Sequence, residues 1–232
     1  MNLTNNYYYF KSALSPILCD EIIKYGKQHN SQMAVTGGVE VENARKIDGK
    51  LKKSTIKNIQ KKRKSDVVRK NDRWIYKEIH PYVHEANRIA GWNFDWDWSE
   101  SCQFTKYGKG QYYGWHCDSW DKPYDRSKDK DENGVPYSVT GKYPLDHGKI
   151  RKLSVTVSLN DPDEYDGGNL EFDFRNQIDW EHSKKAAIKT CEEIRPRGSI
   201  IVFPSFMWHR VSPVTRGTRY SLVIWNLGYP FR

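Results

Sequence analysis

Residues 153–159 read Leu153-Ser154-Val155-Thr156-Val157-Ser158-Leu159, a strand signal followed by the turn residues Asn160, Asp161 and Pro162. Three further strand signals lie downstream: Leu170-Glu171-Phe172-Asp173-Phe174 after Gly167-Gly168, then Ser199-Ile200-Ile201-Val202-Phe203, then Tyr220-Ser221-Leu222-Val223-Ile224-Trp225. Upstream, Trp92-Asn93-Phe94-Asp95-Trp96-Asp97-Trp98 alternates strictly, with the aromatics on one face and Asn93, Asp95 and Asp97 on the other. That pattern predicts a half-buried strand. Its aromatic face is read as core in preference to a platform for stacking nucleobases. Short strands separated by Gly, Pro and Asp turns predict a mainly β chain of the jelly-roll type with flanking helices, an α+β arrangement.

The helical signals come earlier. Ser15 can cap a helix with Pro16 at its first position and Ile17, Leu18, Ile22 and Ile23 at helical spacing. A second helix is predicted over Asp72–Ala90, with Trp74, Ile75, Ile79, Val83 and Ala86 on one side and Gly91 as its stop. Neither a repeat nor a linker divides the chain, so one domain is expected over residues 1–232, its helical and basic N-terminal region at about 1–91 and its β core at about 92–232. The polar stretch Asp121–Lys149 lacks a sustained apolar pattern and reads as a long mobile loop, of the kind that serves as a lid or binding segment.

With 232 residues, 37% hydrophobic and 29% charged, the composition excludes collagen, disulfide scaffolds and fully disordered chains. No run approaches the ~18 apolar residues of a membrane helix, and Met1–Phe10 is unlike a secretory leader. A cytoplasmic protein without a membrane partner is expected. Cys19, Cys102, Cys117 and Cys191 are far apart and read as reduced, mostly buried thiols. The net charge of +9 is concentrated between Arg45 and Arg73, where 13 Lys/Arg face 3 Asp/Glu. That segment is either a solvated face or a contact for an acidic partner such as RNA or a ribonucleoprotein.

His116-Cys117-Asp118 places two potential metal ligands at i and i+2, on one side of an extended strand. His209 lies between two strand signals, where neighbouring strands of a barrel can bring it to the pair. Two imidazoles and one carboxylate suit a non-haem Fe(II) centre with open coordination positions. A structural zinc site would close its shell with four protein ligands, and Cys117 faces away from the pair in an extended segment. His80 and His84 form H-x-x-x-H on a helix but lack the Glu of a zinc protease, since Pro81 follows His80.

Over most of Arg69–Arg232 these residues resemble the Fe(II) and 2-oxoglutarate dependent dioxygenases, in their prolyl 4-hydroxylase-like branch. Tyr107-Gly108-Lys109-Gly110-Gln111-Tyr112-Tyr113-Gly114-Trp115-His116-Cys117-Asp118 matches the family's Y-x-x-G-x-x-Y-x-x-H-x-D signature at every fixed position. His209 resembles the distal iron ligand. Arg219 resembles the basic residue that pairs with the far carboxylate of 2-oxoglutarate, and Trp225 an aromatic packed beside that pocket. The planar fork of arginine independently suits bidentate carboxylate binding. The resemblance further implies a hydrogen bond from Tyr107 to the oxoacid, and Ser221, two residues after Arg219, could add a hydroxyl. Arg151-Lys152-Leu153 through Gly167-Gly168-Asn169-Leu170 resembles the strand and Gly-Gly turn of prolyl hydroxylases. Ser158 stands where some of them have a second tyrosine, so a hydroxyl contact there is shorter or bridged by water. Arg151 occupies a position that contacts peptide substrate in some relatives, and a surface charge is an equal reading. Phe203–Val211 with Pro213-Val214-Thr215 is similar to the PKHD-type subgroup of bacteria and phages.

What the resemblance implies is a double-stranded β-helix, or cupin-like, core holding Fe(II) through His116, Asp118 and His209, with 2-oxoglutarate and O2 as co-substrates. The expected reaction is hydroxylation of a C–H bond, preferably in a prolyl residue of a peptide or protein, with oxidative decarboxylation of 2-oxoglutarate to succinate and CO2. Asp118 argues for hydroxylation over halogenation. A requirement for ascorbate is left open. Other readings are a nucleic-acid demethylase, a lysyl or small-molecule hydroxylase, and a catalytically silent basic module that binds nucleic acid.

Overall fold

In the computed structural model, which describes residues 3, 5–34, 45–46, 50–51, 53–119, 122–174 and 188–232, the Leu153–Leu159 signal becomes a central strand. Along the chain the strands are β1 (Tyr8–Phe10), β2 (Gln32–Met33), β3 (Arg45–Lys46), β4 (Lys50–Leu51), β5 (Arg63–Lys64), β6 (Asp66–Lys70), β7 (Trp98–Ser99) and β8 (Cys102–Gly108). They continue as β9 (Tyr112–His116), β10 (Ile150–Ser158), β11 (Tyr165–Gly167), β12 (Leu170–Asp173), β13 (Ile188–Thr190), β14 (Ile200–Pro204), β15 (His209–Val211) and β16 (Val214–Gly228). The helices are α1 (Pro16–Lys27), α2 (Lys53–Lys62), α3 (Arg73–Ile89) and the short α4 (Tyr137–Thr140).

Two antiparallel sheets carry the architecture. The larger follows the order β1-β14-β10-β16-β8-β6-β2, with β7 and β11 pairing onto the long β16. The smaller follows β13-β12-β15-β9-β5. This is the double-stranded β-helix, built from open sheets and flanked by helices.

Register explains how the larger sheet serves two environments. Val155 lies opposite Val202 and Ile224, and Leu222 opposite Phe104, so these apolar side chains share one face. That face packs in one apolar cluster with Cys19 and Ile22 of α1 and Ile75, Ile79, Val83 and Ala86 of α3. The alternate positions share the other face: Ser154 opposite Trp225, Ser158 opposite Ser221, Ser221 opposite Thr105 and Arg219 opposite Tyr107. All of these are buried, and they form a polar strip toward the smaller sheet. Apolar clusters flank the strip, one around Phe172, Ile201, Phe203 and Met207, the other around Tyr107, Tyr165, Val211 and Val214.

The predicted helices are present. Ser15 Oγ accepts from Leu18 N at 3.2 Å and Pro16 opens α1. α3 ends before Gly91, whose φ of +73° stops it. Asp72 at its start turns its carboxylate to the Tyr25 hydroxyl, 2.6 Å away, and leaves the helix uncapped by its side chain.

Two expectations are corrected. The Trp92–Trp98 segment keeps its alternating burial, but only Trp98 and Ser99 pair as a strand. Asn93 adopts a φ of +50°, and the Asn87 amide bonds both Phe94 N (3.0 Å) and Phe94 O (2.9 Å), giving that backbone its partners without a neighbouring strand. The N-terminal region is also not purely helical, because β1, β2 and β6 join the larger sheet ahead of residue 92. β1 and β2 are three and two residues long and β6 carries Asp66, Arg69 and Lys70, so none shows the sustained alternation that marks a strand in sequence.

Within 122–149 the chain has internal order. Arg126 ion-pairs with Asp146, its N–H donates to His147 Nδ1 at 3.0 Å, and Tyr124 ties the base of the excursion to Glu100 at 2.8 Å. Among the described residues, no helix is long and apolar enough to cross a membrane. All four cysteines are free, and Cys19, Cys102 and Cys191 are buried.

α1 is seated on β8 through Gly26, where a Cβ would lie 2.5 Å from the Phe104 ring. Gly26→Ala is therefore expected to lose about 1–3 kcal/mol in urea unfolding, as overpacked cores do. Unchanged stability would contradict this seating.

Candidate metal centre

The centre forms where β9 and β15 run side by side. Their register sets His209 directly opposite His116, with an irregularity immediately after His209. Each imidazole is oriented by the same local bond: His116 Nδ1 donates to Gly114 O at 2.8 Å and His209 Nδ1 to Met207 O at 2.8 Å. A carbonyl can only accept, so the proton sits on Nδ1 and the Nε2 lone pair is free. Both Nε2 atoms face Asp118, His116 Nε2 at 3.6 Å from Oδ1 and His209 Nε2 at 3.5 Å from Oδ2. The ligand atoms of the three residues lie within 4.8 Å of one another.

Asp118 is held by groups that the sequence does not single out. Its N–H donates to Ser205 O at 2.9 Å, and Ser154 Oγ donates to its Oδ2 at 2.8 Å while lying 2.9 Å from Ser205 Oγ. Arg151 Nη1 reaches Asp118 O at 3.3 Å. Burial opposes the Asp118 charge, yet His209, His116 and Arg151 outweigh it and hold the carboxyl down at about 2. Burial, then the facing His209, pushes His116 down to about 3. The pocket thus presents a carboxylate and a neutral imidazole across the physiological range. Cys117 between them points elsewhere, its thiol on Phe206 O at 3.2 Å, and burial raises it to about 12. It is not a fourth ligand.

The donor set fits Fe(II). Two imidazole nitrogens and one carboxylate oxygen converge from two backbone segments, 116–118 and β15, and leave other positions of a metal open.

The remaining residues named from sequence lie on the polar strip. Arg219 is 2% exposed, its Nη1 is 3.4 Å from Ser221 Oγ, and its guanidinium carbon is 5.6 Å from the Tyr107 ring centre. No carboxylate among the described residues pairs with it. Gly168, with a φ of +60°, lies across its stem, where a Cβ would sit 3.0 Å from Arg219 Cδ. Ser158 is the buried neighbour of Ser221 in register. Trp225 stands opposite Ser154 with Arg151 4.0 Å above its ring. Arg151 is engaged within the protein, its Nε and Nη2 each 2.6 Å from Glu100 and its Nη1 on the Asp118 carbonyl. His80 and His84 are accounted for by packing, His84 stacking on Trp96 at 4.6 Å and His80 bonding Ser99 at 3.1 Å.

Residues 102–226 match the family model for the 2OG-Fe(II) oxygenase superfamily. The chain belongs to that superfamily. It is 33% identical over 130 residues to a PKHD-type hydroxylase of Prochlorococcus marinus, a match spanning 54% of this chain and 41% of that relative. The chain thus spans well under half the length of the curated relatives it matches. Its fold is similar to that of a Pseudomonas putida prolyl-4-hydroxylase (TM-score 0.58, 16% identity, 96% of this chain and 93% of that one). It is likewise similar to a viral collagen prolyl hydroxylase of Paramecium Bursaria Chlorella virus-1 (TM-score 0.57, 18% identity, 97% of each chain).

Two outcomes follow for this centre. Because the folded state resists protonation of His116 between its unfolded pKa near 6.5 and about 3, the unfolded chain binds more protons there. Stability of the metal-free protein therefore falls as pH drops below about 6.5, and His116→Asn flattens that fall in denaturant titrations at stepped pH. Mn(II) titration calorimetry is expected to show one site in the parent and a loss of about 100-fold or more in affinity in His209→Ala. Equal affinity would remove His209 from the centre.

Proposed function

We propose that this oxygenase hydroxylates a C–H bond of a prolyl residue in a peptide or protein, converting 2-oxoglutarate to succinate and CO2. The observation that carries the reading is Arg219, a buried permanent charge without a carboxylate partner among the described residues, on the strand that also bears Trp225 opposite Ser154. Such a charge is costly unless an anion completes it, and a dicarboxylate co-substrate supplies one. When bound at His116, Asp118 and His209, Fe(II) would supply the activation of dioxygen that couples decarboxylation of 2-oxoglutarate to C–H hydroxylation.

The chain's own residues then have definite tasks. Arg219 and Ser221 hold the far carboxylate, and Tyr107, stacked beside Arg219, donates its hydroxyl to the oxoacid. Gly168 lets the Gly-Gly turn close over the arginine stem. Ser154 occupies the second oxygen of Asp118, so the carboxylate offers one oxygen to a metal. The apolar clusters at each end of the polar strip keep water from the reacting groups. The likeness of fold to prolyl hydroxylases supports a prolyl substrate, and Asp118 in the ligand set supports hydroxylation.

The test is mass spectrometry of soluble cell extract incubated with Fe(II), 2-oxoglutarate and the parent protein or His209→Ala. A one-oxygen gain on prolyl peptides with the parent alone is expected. Succinate release without any gain on protein would reassign the substrate to a nucleic acid or a small molecule, and absence of succinate release would overturn the oxygenase activity. In Arg219→Met, half-maximal succinate release should need about tenfold or more 2-oxoglutarate, matching the ~1.5–3 kcal/mol of a charged hydrogen bond.

A further inference from the structure

The basic segment reads in sequence as either a solvated face or a contact for an acidic partner, and Arg63 within it is 4% exposed. Its Nε donates to Ser65 Oγ at 2.9 Å, while Nη2 is buried with no hydrogen-bond partner among the described residues. No carboxylate among the described residues pairs with it. The guanidinium lies 4.3 Å from the Tyr113 ring centre, and Tyr113 stacks on His116 at 3.5 Å, so one ring separates this charge from a metal ligand.

A second orphan faces the same space. Gln103 is 2% exposed, and its Nε2 donates to Thr105 Oγ1 at 3.0 Å while Oε1 has no partner among the described residues. Turned over, the amide would accept from Thr105 and offer an N–H instead, so either way one hydrogen-bonding atom is left for a ligand. Arg63 and Gln103 help line a cavity of about 460 Å³ together with Arg69, Lys70, Met33 and Val67. Arg69, opposite Gln103 in register, is open to solvent, and its guanidinium carbon is 5.5 Å from the Trp225 ring centre. That ring also carries Arg151, which contacts the Asp118 carbonyl.

We propose that the oxygenase acts on an acidic peptide segment whose carboxylate side chain enters this cavity and completes Arg63, with Arg69 at the mouth. This rests on the hydroxylase reading above and names its substrate class. A guanidinium with an unmatched donor suits a carboxylate, and the free Gln103 atom suits a peptide group beside it. β2 pairs only with Asp66 and Val67 of β6, so Val68–Lys70 border the cavity without a described strand on that side, an edge that an extended peptide can follow. The described walls include no Trp, Tyr or Phe, the stacking surfaces that single-stranded nucleic acid uses. The exposed Lys61, Lys62 and Lys64 extend the positive field along the approach, and Tyr112 fastens α2 to β9 through Gln60 O at 2.8 Å.

The test is fluorescence anisotropy on protein loaded with Mn(II) and saturating 2-oxoglutarate, which fills the Arg219 site and prevents turnover. The probes are labelled Gly-Glu-Pro-Glu-Gly, its glutamine counterpart and a short single-stranded RNA. The acidic peptide is expected to bind the parent about tenfold or more tightly than the glutamine peptide. Arg63→Met should abolish the difference, and so should Arg69→Met, whose solvent-open side chain avoids a folding defect. Equal binding of the two peptides by the parent would overturn the proposal, as would tighter binding of RNA that Arg69→Met weakens. Failure of the hydroxylase reading shows separately, as absent succinate release by the parent under Fe(II) and air.

Discussion

Two imidazoles set opposite one another by strand register are the constraint on which the site depends. His116 and His209 sit opposite one another in an antiparallel pair, and each fixes its ring by bonding the carbonyl two residues before it. Those bonds select the tautomer, aim both Nε2 lone pairs at one point, and leave Asp118 to complete the donor set. Nearby lone pairs without a proton between them repel, and the carboxylate oxygens facing them add to that repulsion. A cation would satisfy all three donors at once, and the superfamily to which the chain belongs is that of the 2OG-Fe(II) oxygenases.

The larger sheet exists to hold this arrangement in a dry, shaped interior. One face is apolar and is sealed by α1 and α3, while the alternate residues of the same strands present Ser154, Ser158, Ser221, Thr105, Tyr107 and Arg219 inward. Burying so many polar groups is tolerable because several bond one another, as in the Ser154, Ser205 and Asp118 chain. The exceptions are informative. Arg219 and Arg63 are buried charges without carboxylate partners among the described residues, and each is matched here to an anion that arrives from outside.

Much of the site was legible because its chemistry is local. The H-x-D spacing, His209 between strands, and Arg219 with Ser221 on one strand face could each be read from short stretches of sequence. Non-local pairing was not legible. Nothing near Ser154 or Ser205 announces that they bracket Asp118, and the Glu100 partner that engages Arg151 lies 51 residues away. The Trp92–Trp98 segment looks like a strand, but at its centre Phe94 bonds to the Asn87 side chain, an alternative that hydrophobic periodicity does not register. Arg63 was one charge among 13 in its segment, and only tertiary packing distinguishes it from its solvated neighbours. Residues 47–49 and 52 of that segment lie outside the described residues.

The central claim is that His116, Asp118 and His209 hold iron beside a 2-oxoglutarate site closed by Arg219. Anaerobic visible absorption tests it most directly, because a 2-oxoacid that chelates Fe(II) through its carboxylate and keto oxygen gives a charge-transfer band that neither component gives alone. The account predicts this band when Fe(II) and 2-oxoglutarate are both added to the parent, its absence in His209→Ala, and its appearance only at raised 2-oxoglutarate in Arg219→Met. A parent that binds Fe(II) and 2-oxoglutarate yet shows no such band would contradict it.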